Sequence, residues 1–405
     1  MRTRVPMFLI ALLTACSGAK AGEHLANIRT DTLPNGVTRV MSEGPTGWAA
    51  GQPASLVEEA RFQGEDGTAS ELGEPRDLAV DALGRIYVVD GKPAAIKVFS
   101  PDGEYIRTIG RDGEGPGEFR VAFIAIRGEH LVLQDPRVSR ISVFDTSGTF
   151  VRSWKSTCCY WSRIQIDDAN LIYVPSMSNS KPNDPPRGTP YVRWTLDGVA
   201  KDTVWIPYQK PEKIWTVTVT EGGKMKMSMS TTVPFMAGMT SALHPQGGVI
   251  YGWTGRYEIV RSSTGADSLL VFGRDWSPDP VSDDRRAGEY ESRIRSAGKG
   301  IDQATIRNAM RFDDIPSTLP AYETLQVDPT GRVWARRYAV SDTTRTGFDL
   351  FNATGAYLGR VETPLHLAPW GAQAWTPTGV VAVIEDQDGR PTIVRLKLVT
   401  AASSH

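Results

Sequence analysis

The sequence LAVDALGRIYV at residues 78–88 contains an apolar strand, a tight turn with an aspartate, and a second strand rich in β-branched and aromatic residues. The same pattern recurs as LQVDPTGRVWA at residues 325–335 and as IQIDDANLIYV at residues 164–174. Degenerate copies occupy residues 242–251 and 374–381, and residues 124–133 carry one with a shortened turn. One hairpin repeated along a chain predicts an array of similar structural units rather than several unrelated domains.

Most of the hairpins continue into a third strand, a second turn and a fourth strand. The third strand and its turn read IKVFSPDG at residues 96–103, ISVFDTSG at 141–148 and FDLFNATG at 348–355. The second strands of two successive copies end at Asp90 and Asp135, which gives a period of 45 residues. Four strands at this period are typical of one propeller blade. Two unrelated β-sandwiches are the alternative, and the shared turn register argues against them.

These residues carry a family resemblance. The run from Pro75 to Gly103, followed by GEGPGEF at residues 113–119, resembles an NHL repeat. The whole set, over roughly residues 56–398, resembles the bacterial six-bladed β-propeller lipoproteins. The resemblance implies an all-β ring of six four-stranded blades, in which residues 56–62 supply the fourth strand of the last blade and so close the ring. The blades are expected to centre on residues 76–119, 120–160, 162–210, 238–275, 320–362 and 369–398.

The composition excludes several classes of protein. With 22% charged and 40% hydrophobic residues, the 405-residue chain is globular rather than disordered. A net charge of -1 provides no overall field that would attract nucleic acid. The 39 glycines and 27 prolines favour frequent turns over long helices.

The first 16 residues, MRTRVPMFLIALLTAC, predict a lipoprotein signal. Arg2 and Arg4 precede a short apolar run, and the segment ends in a stretch that resembles a lipobox, with cleavage before a lipidated Cys16. An ordinary secretory signal is the alternative. We therefore expect a signal peptide at 1–15, an anchor and tether at 16–54 with one short strand at 37–41, and the propeller at 55–400. This predicts an extracytoplasmic protein anchored by lipid, and Ser17 favours the outer membrane, facing the periplasm or the cell surface.

The long insertions are all expected on one side of the ring, where second-to-third-strand loops and blade-to-blade connections lie. We call this side the elaborated face. The insertions are residues 175–190, 208–238 and 276–319. In the last one, Ser282 and Asp302 are expected to cap two helices, which would cover the channel or plug a gap between blades. In the second, a hairpin with alternating methionines is expected to pack or, alternatively, to bind Cu(I). Loops that carry such insertions often form binding sites, although simple tolerance of extra residues is the alternative.

The sequence contains two cysteines besides Cys16. Cys158 and Cys159 are adjacent and follow the second blade. In an oxidising compartment they are candidates for a vicinal disulfide, and a pair of buried reduced thiols is the alternative. A redox dithiol is less favoured, because no Cys-x-x-Cys spacing is present.

Two functions follow from this reading. The first is a non-enzymatic binding or scaffold module with no cofactor, whose elaborated face binds a protein, peptide or glycan. Its candidate binding residues are Trp161, Trp215, Trp276 and Arg120. The alternative is a lactonase-like, metal-dependent hydrolase or lyase at the channel mouth, as in some six-bladed relatives. There Asp77 and Glu323 would bind one divalent cation such as Ca or Mg or act as general base, and Arg163 would bind an anion.

Overall fold

The computed structural model describes residues 27–44, 54–156, 162–177, 188–221, 224–297, 301–339 and 345–400. The predictions made for Cys16, Cys158, Cys159 and Trp161 lie outside these residues. Within the described ranges, no helix has both the length and the apolar character needed to cross a membrane.

Antiparallel units of four strands dominate the fold. The first three strands of the chain are β1 (Asn27–Thr32), β2 (Thr38–Glu43) and β3 (Ala54–Phe62). Blade one contains β4 (Pro75–Val80), β5 (Ile86–Gly91), β6 (Ala94–Phe99) and β7 (Tyr105–Ile109), followed by the short parallel pair β8 (Arg111–Asp112) and β9 (Glu118–Phe119). Blade two contains β10 (Phe123–Arg127), β11 (His130–Asp135), β12 (Arg140–Asp145) and β13 (Phe150–Lys155). Blade three contains β14 (Gln165–Ile166), β15 (Ile172–Pro175), β16 (Thr189–Trp194) and β17 (Ala200–Ile206).

The second half of the chain repeats this arrangement around two insertions. A hairpin of β18 (Ile214–Glu221) and β19 (Lys224–Thr232) precedes blade four, which contains β20 (Met239–Leu243), β21 (Val249–Trp253), β22 (Glu258–Ser262) and β23 (Leu270–Arg274). The helices α1 (Asp283–Ser296) and α2 (Gln303–Ala309) follow. Blade five contains β24 (Thr324–Val327), β25 (Val333–Arg336), β26 (Thr346–Phe351) and β27 (Tyr357–Thr363). Blade six contains β28 (Gln373–Thr376), β29 (Gly379–Glu385) and β30 (Pro391–Val399), with β3 as its fourth strand.

The six blades form a closed ring. The innermost strand of blade one, β4, lies against β10 of blade two and against β28 of blade six. A separate hydrophobic cluster fills each of the six gaps between neighbouring blades. Because every blade packs against two neighbours, strands such as β5 and β6 are buried along almost their whole length. The expectation of one six-bladed ring is confirmed.

Aspartates in the first turn of a blade explain the repeated hairpin. Asp81 accepts hydrogen bonds from the backbone N–H groups of Leu83 and Arg85, both at 2.9 Å. Asp167 and Asp328 accept equivalent bonds in blades three and five. The side chain replaces backbone partners that a tight turn lacks, so the turn is specified by local chemistry.

His244 occupies this turn position in blade four. Its Nδ1 accepts the N–H of Gln246 at 3.2 Å, and the residue is only 2% exposed. Burial and the nearby Arg261 lower the pKa of His244 to about 4. The pKa of His244 in the unfolded chain is near 6.5, so the neutral, buried imidazole contributes its full stability only above pH 6.5. This contribution is lost as the pH falls towards 4. We expect this loss to be on the order of 3 kcal/mol in urea unfolding at each pH.

The matched variant is His244→Asn, because an asparagine can cap a tight turn of this kind. Asn352 does so in the third-to-fourth-strand turn of blade five, where it accepts the N–H groups of Thr354 and Ala356. This variant should retain the turn and lose most of the acid sensitivity between pH 6.5 and 4. An unchanged acid profile in the variant would assign the effect to other groups.

The N-terminal segment binds to three blades. Strand β3 pairs with β30, with Leu56 opposite Leu398, which confirms the predicted ring closure. The first residues of β3 also pair with β27 of blade five. Strands β1 and β2 form a hairpin that adds to blade four through parallel pairing of β2 with β23. The strand expected at 37–41 is therefore observed at Thr38–Glu43. The assignment of residues 27–44 to a tether is otherwise wrong, because they belong to this sheet.

The two large insertions form a second layer on the elaborated face. Ser282 and Asp302 cap α1 and α2 as predicted, by accepting the N–H groups of Arg285 and Thr305. Both helices pack with the β18–β19 hairpin around a hydrophobic cluster that includes Trp215, Ile294 and Ile306. This cluster is distinct from those in the gaps between blades, so the helices do not plug a gap.

Candidate functional site

The channel positions proposed for catalysis are occupied by a buried ion pair. Asp77 is 1% exposed, and its carboxylate lies 3.2 Å from Nε of Arg163 and accepts the N–H of Ile124 at 3.0 Å. Arg163 also donates to the carbonyl groups of Gln373, at 2.7 Å, and Gly371. Burial raises the pKa of Asp77, and the Arg163 guanidinium and the Ile124 N–H oppose this rise. The pair thus joins blades one, two, three and six, and the groups proposed as base and anion clamp bind each other.

Glu323 belongs to a different cluster. Its carboxylate accepts a 2.8 Å hydrogen bond from Nε of Arg336, a neighbour in the same blade. Among the described residues, no contact joins Glu323 to Asp77, and no three His, Cys, Asp or Glu side chains are grouped as metal ligands. In the described part of the chain, Asp77 and Glu323 therefore belong to two separate clusters, each paired with its own arginine.

The three candidate binding residues that are described lie in different environments. Trp215 is fully buried, donates its indole N–H to Asp314 at 2.8 Å and packs edge-on against Tyr290. It holds the insertion together, and its burial means that the candidate binding residue Trp215 is not part of the accessible surface in this structure. Arg120 is 45% exposed and forms ion pairs with Asp112 and Glu114 in the connection between blades one and two. Trp276 is half-buried and lines a cleft.

This cleft, which we call the neck cleft, lies beside the two chain segments that connect the helical insertion to blades four and five. It has a volume of about 410 Å³. Trp276, Asp279 and Pro320 line the insertion side, and Arg337 and Tyr338 line the side of blade five. The two connecting segments are fixed to each other by backbone hydrogen bonds, from Leu319 to Asp279 and from Val281 to Ser317. The walls are therefore formed by ordered backbone.

A buried polar network forms the floor of the neck cleft. Asp349 is 2% exposed and accepts hydrogen bonds from the hydroxyl groups of Tyr257, at 2.7 Å, and Tyr357, at 2.8 Å. Its carboxylate also lies 3.2 Å from Nη1 of Arg274, whose guanidinium stacks 4.4 Å from the Tyr357 ring centre. Burial and the Asp349 carboxylate raise the pKa of both tyrosines, so both stay protonated as donors. The network fixes the Arg274 guanidinium in one orientation.

Two guanidinium groups in the cleft retain free N–H donors. Nε and Nη1 of Arg274 donate hydrogen bonds, whereas its Nη2 has no acceptor among the described residues. This Nη2 atom is also not buried, so it faces solvent. Arg337 is 20% exposed, and its nearest carboxylate oxygen, from Asp279, is 3.9 Å away, which is too long for a hydrogen bond. The site thus offers the donors of the fixed Arg274 and of Arg337 next to aromatic surface.

Two parts of this face were not anticipated from the sequence. The network around Asp349 joins strands of blades four and five, and its only sequence signal is an aspartate within the otherwise apolar strand FDLF at residues 348–351. Trp370 is 79% exposed and precedes Gly371, the acceptor of Arg163. It lies in the connection between blades five and six, and therefore also on the elaborated face.

Comparison with known proteins agrees with this fold. Residues 70–219 match the family model DUF5128, described as a 6-bladed beta-propeller. The chain is similar to a solved structure of a DUF4221 family member from Bacteroides vulgatus. The similarity covers 86% of this chain and 99% of the other, with 12% sequence identity and a TM-score of 0.50. Virginiamycin B lyase from Staphylococcus aureus matches 80% of this chain and 95% of its own, with 11% identity and a TM-score of 0.41, a likeness too weak to transfer any chemistry. No curated protein sequence matches the chain. With its ring of six four-stranded units and its match to that family model, the chain is a six-bladed β-propeller.

Proposed function

We propose that this propeller is a non-enzymatic binding protein, anchored by lipid outside the cytoplasm, whose elaborated face holds a protein, peptide or glycan partner. The observation that carries the proposal is the neck cleft, where Trp276 and two guanidinium groups with free donors surround a pre-formed cavity of about 410 Å³. Pre-formed concave sites with a few oriented polar groups are the usual form of ligand sites. The channel position of the enzymatic alternative, in contrast, is filled by the Asp77–Arg163 pair.

The course of the N-terminal hairpin supports a particular orientation of this face. Strand β23 runs from the short turns towards the elaborated face, and β2 is parallel to it. Because β1 is antiparallel to β2, Asn27 lies at the elaborated face, opposite Glu43. Cys16 precedes Asn27 by eleven residues, which can span at most about 40 Å. A lipid on Cys16 would therefore hold the elaborated face near a membrane surface.

Hydroxyl-radical footprinting tests the binding role. We expect an envelope extract of the source organism to protect Trp276 from oxidation several-fold in the full chain. Leu83, which is 72% exposed in a first-to-second-strand turn on the opposite face, should keep its reactivity. Equal protection of both residues, or protection of Leu83 alone, would contradict a site on the elaborated face. In the same preparation, Cys16→Ser should move the protein from the membrane fraction to the soluble fraction, and an unchanged distribution would contradict the lipid anchor.

A further inference from the structure

We propose that the neck cleft binds an uncharged saccharide unit, one or two sugar rings long. This inference rests on the proposed binding function and specifies the chemistry of its ligand. It follows from the charge balance of the cleft, from the arrangement of its donors and acceptors, and from its size.

The charge balance of the lining argues against an ionic ligand. The cleft is lined by three arginines and three aspartates, Arg274, Arg337, Arg360, Asp275, Asp279 and Asp349. Asp349 is already neutralised by Arg274 on the floor, whereas Asp275 and Asp279 lie nearer the solvent. An anion bound to the guanidinium groups would approach those two carboxylates, and a cation bound to the carboxylates would approach the guanidinium groups. Repulsion between like charges at such short range weakens the binding of either kind of ion.

A neutral polyol avoids this repulsion and uses both kinds of group. Each sugar hydroxyl group can accept one hydrogen bond and donate another. The free N–H donors of Arg274 and Arg337 serve the accepting side, and the carboxylates of Asp275 and Asp279 serve the donating side. The C–H face of a pyranose ring is apolar, and Trp276 and Tyr338 provide aromatic surface for it. Trp276 is held in place by packing against the core between blades four and five.

The size and polarity of the cleft narrow the ligand further. Small-molecule sites typically measure about 300–1,000 Å³ and are mostly apolar. At about 410 Å³ the neck cleft is at the small end of this range, and most of its side chains are polar or charged. This composition disfavours apolar ligands, and the small volume disfavours an extended peptide. A short saccharide satisfies both conditions.

A glycan array that contains neutral and acidic oligosaccharides, probed with the full chain, tests the inference. We expect retention on neutral glycans, and quenching or a shift of tryptophan emission when the retained glycan is titrated in solution. Trp276→Ala should weaken this binding at least tenfold. Arg337→Lys keeps the charge and loses the planar fork of donors, so it should weaken binding several-fold. Trp370→Ala is the matched control, because it removes an exposed tryptophan outside the cleft on the same face, and it should bind as the unmodified chain does.

Retention on acidic glycans alone, no retention at all, or equal effects of Trp276→Ala and Trp370→Ala would overturn the saccharide inference. The footprinting experiment separates this failure from failure of the binding role. Protection of Trp276 by the extract, without retention on any glycan, would remove the saccharide and leave a protein or peptide partner. Loss of both signals would remove both proposals.

Discussion

Asp349→Asn is expected to lower the free energy of unfolding by about 3–5 kcal/mol at pH 7. The carboxylate accepts from two buried tyrosines and neutralises Arg274, whose side chain is only 14% exposed. An amide keeps the shape of the side chain and removes the charge, so the variant leaves a buried guanidinium without a counter-ion. Urea unfolding followed by far-UV circular dichroism measures the change.

The control is Asp197→Asn, which removes the same charge from the surface pair with Arg152. Asp197 is 76% exposed, and exposed pairs contribute about 0–1 kcal/mol. We expect this control to unfold within 1 kcal/mol of the unmodified chain. If Asp349→Asn changed stability no more than the control, water in the cleft would be solvating the Arg274 guanidinium. This result would contradict the claim that the Asp349 network fixes its orientation.

The structure shows which parts of the fold are readable from sequence. The turn aspartates and the helix caps act within a few residues: Asp81 binds Leu83 and Arg85, and Ser282 binds Arg285. Such chemistry leaves a local pattern, and it repeats with the blades. The hairpins, the blade period, the capped helices and the closing strand could therefore be predicted.

The candidate site depends on contacts between distant parts of the chain, which leave no such pattern. Tyr257 and Asp349 are 92 residues apart, and Arg163 and Gly371 are 208 apart. The alternation of β18 predicts that Trp215 lies on one side of the hairpin, and it does not reveal that α1 and α2 cover that side. Trp276 could be assigned to the elaborated face from the sequence, because connections between blades must lie there. Its partners in the neck cleft could not be predicted.

Arg163→Met is the second substitution expected to have a large effect, with a loss of about 3–5 kcal/mol at pH 7. It leaves the carboxylate of Asp77, 1% exposed, without its counter-charge, and it releases the carbonyl groups of Gly371 and Gln373. Burial already raises the pKa of Asp77, and removing Arg163 raises it further. A raised folded-state pKa of a carboxyl group penalises folding at higher pH. The difference in the free energy of unfolding between the variant and the unmodified chain should therefore become smaller as the pH falls from 7 towards 5. The control Arg152→Met, at an exposed arginine, should change stability by less than about 1 kcal/mol at either pH.

A double-mutant cycle then separates a structural pair from a catalytic one. If Asp77 and Arg163 mainly hold blades one, three and six together, Asp77→Asn combined with Arg163→Met should be more stable than Arg163→Met alone, because no buried charge is left unpaired. For the same double variant, the difference in the free energy of unfolding from the unmodified chain should no longer depend on pH. If the two substitutions were additive instead, the two groups would act independently in the folded chain. Asp77 would then be a free carboxyl group in the channel, as a general base requires, and this result would support the enzymatic alternative.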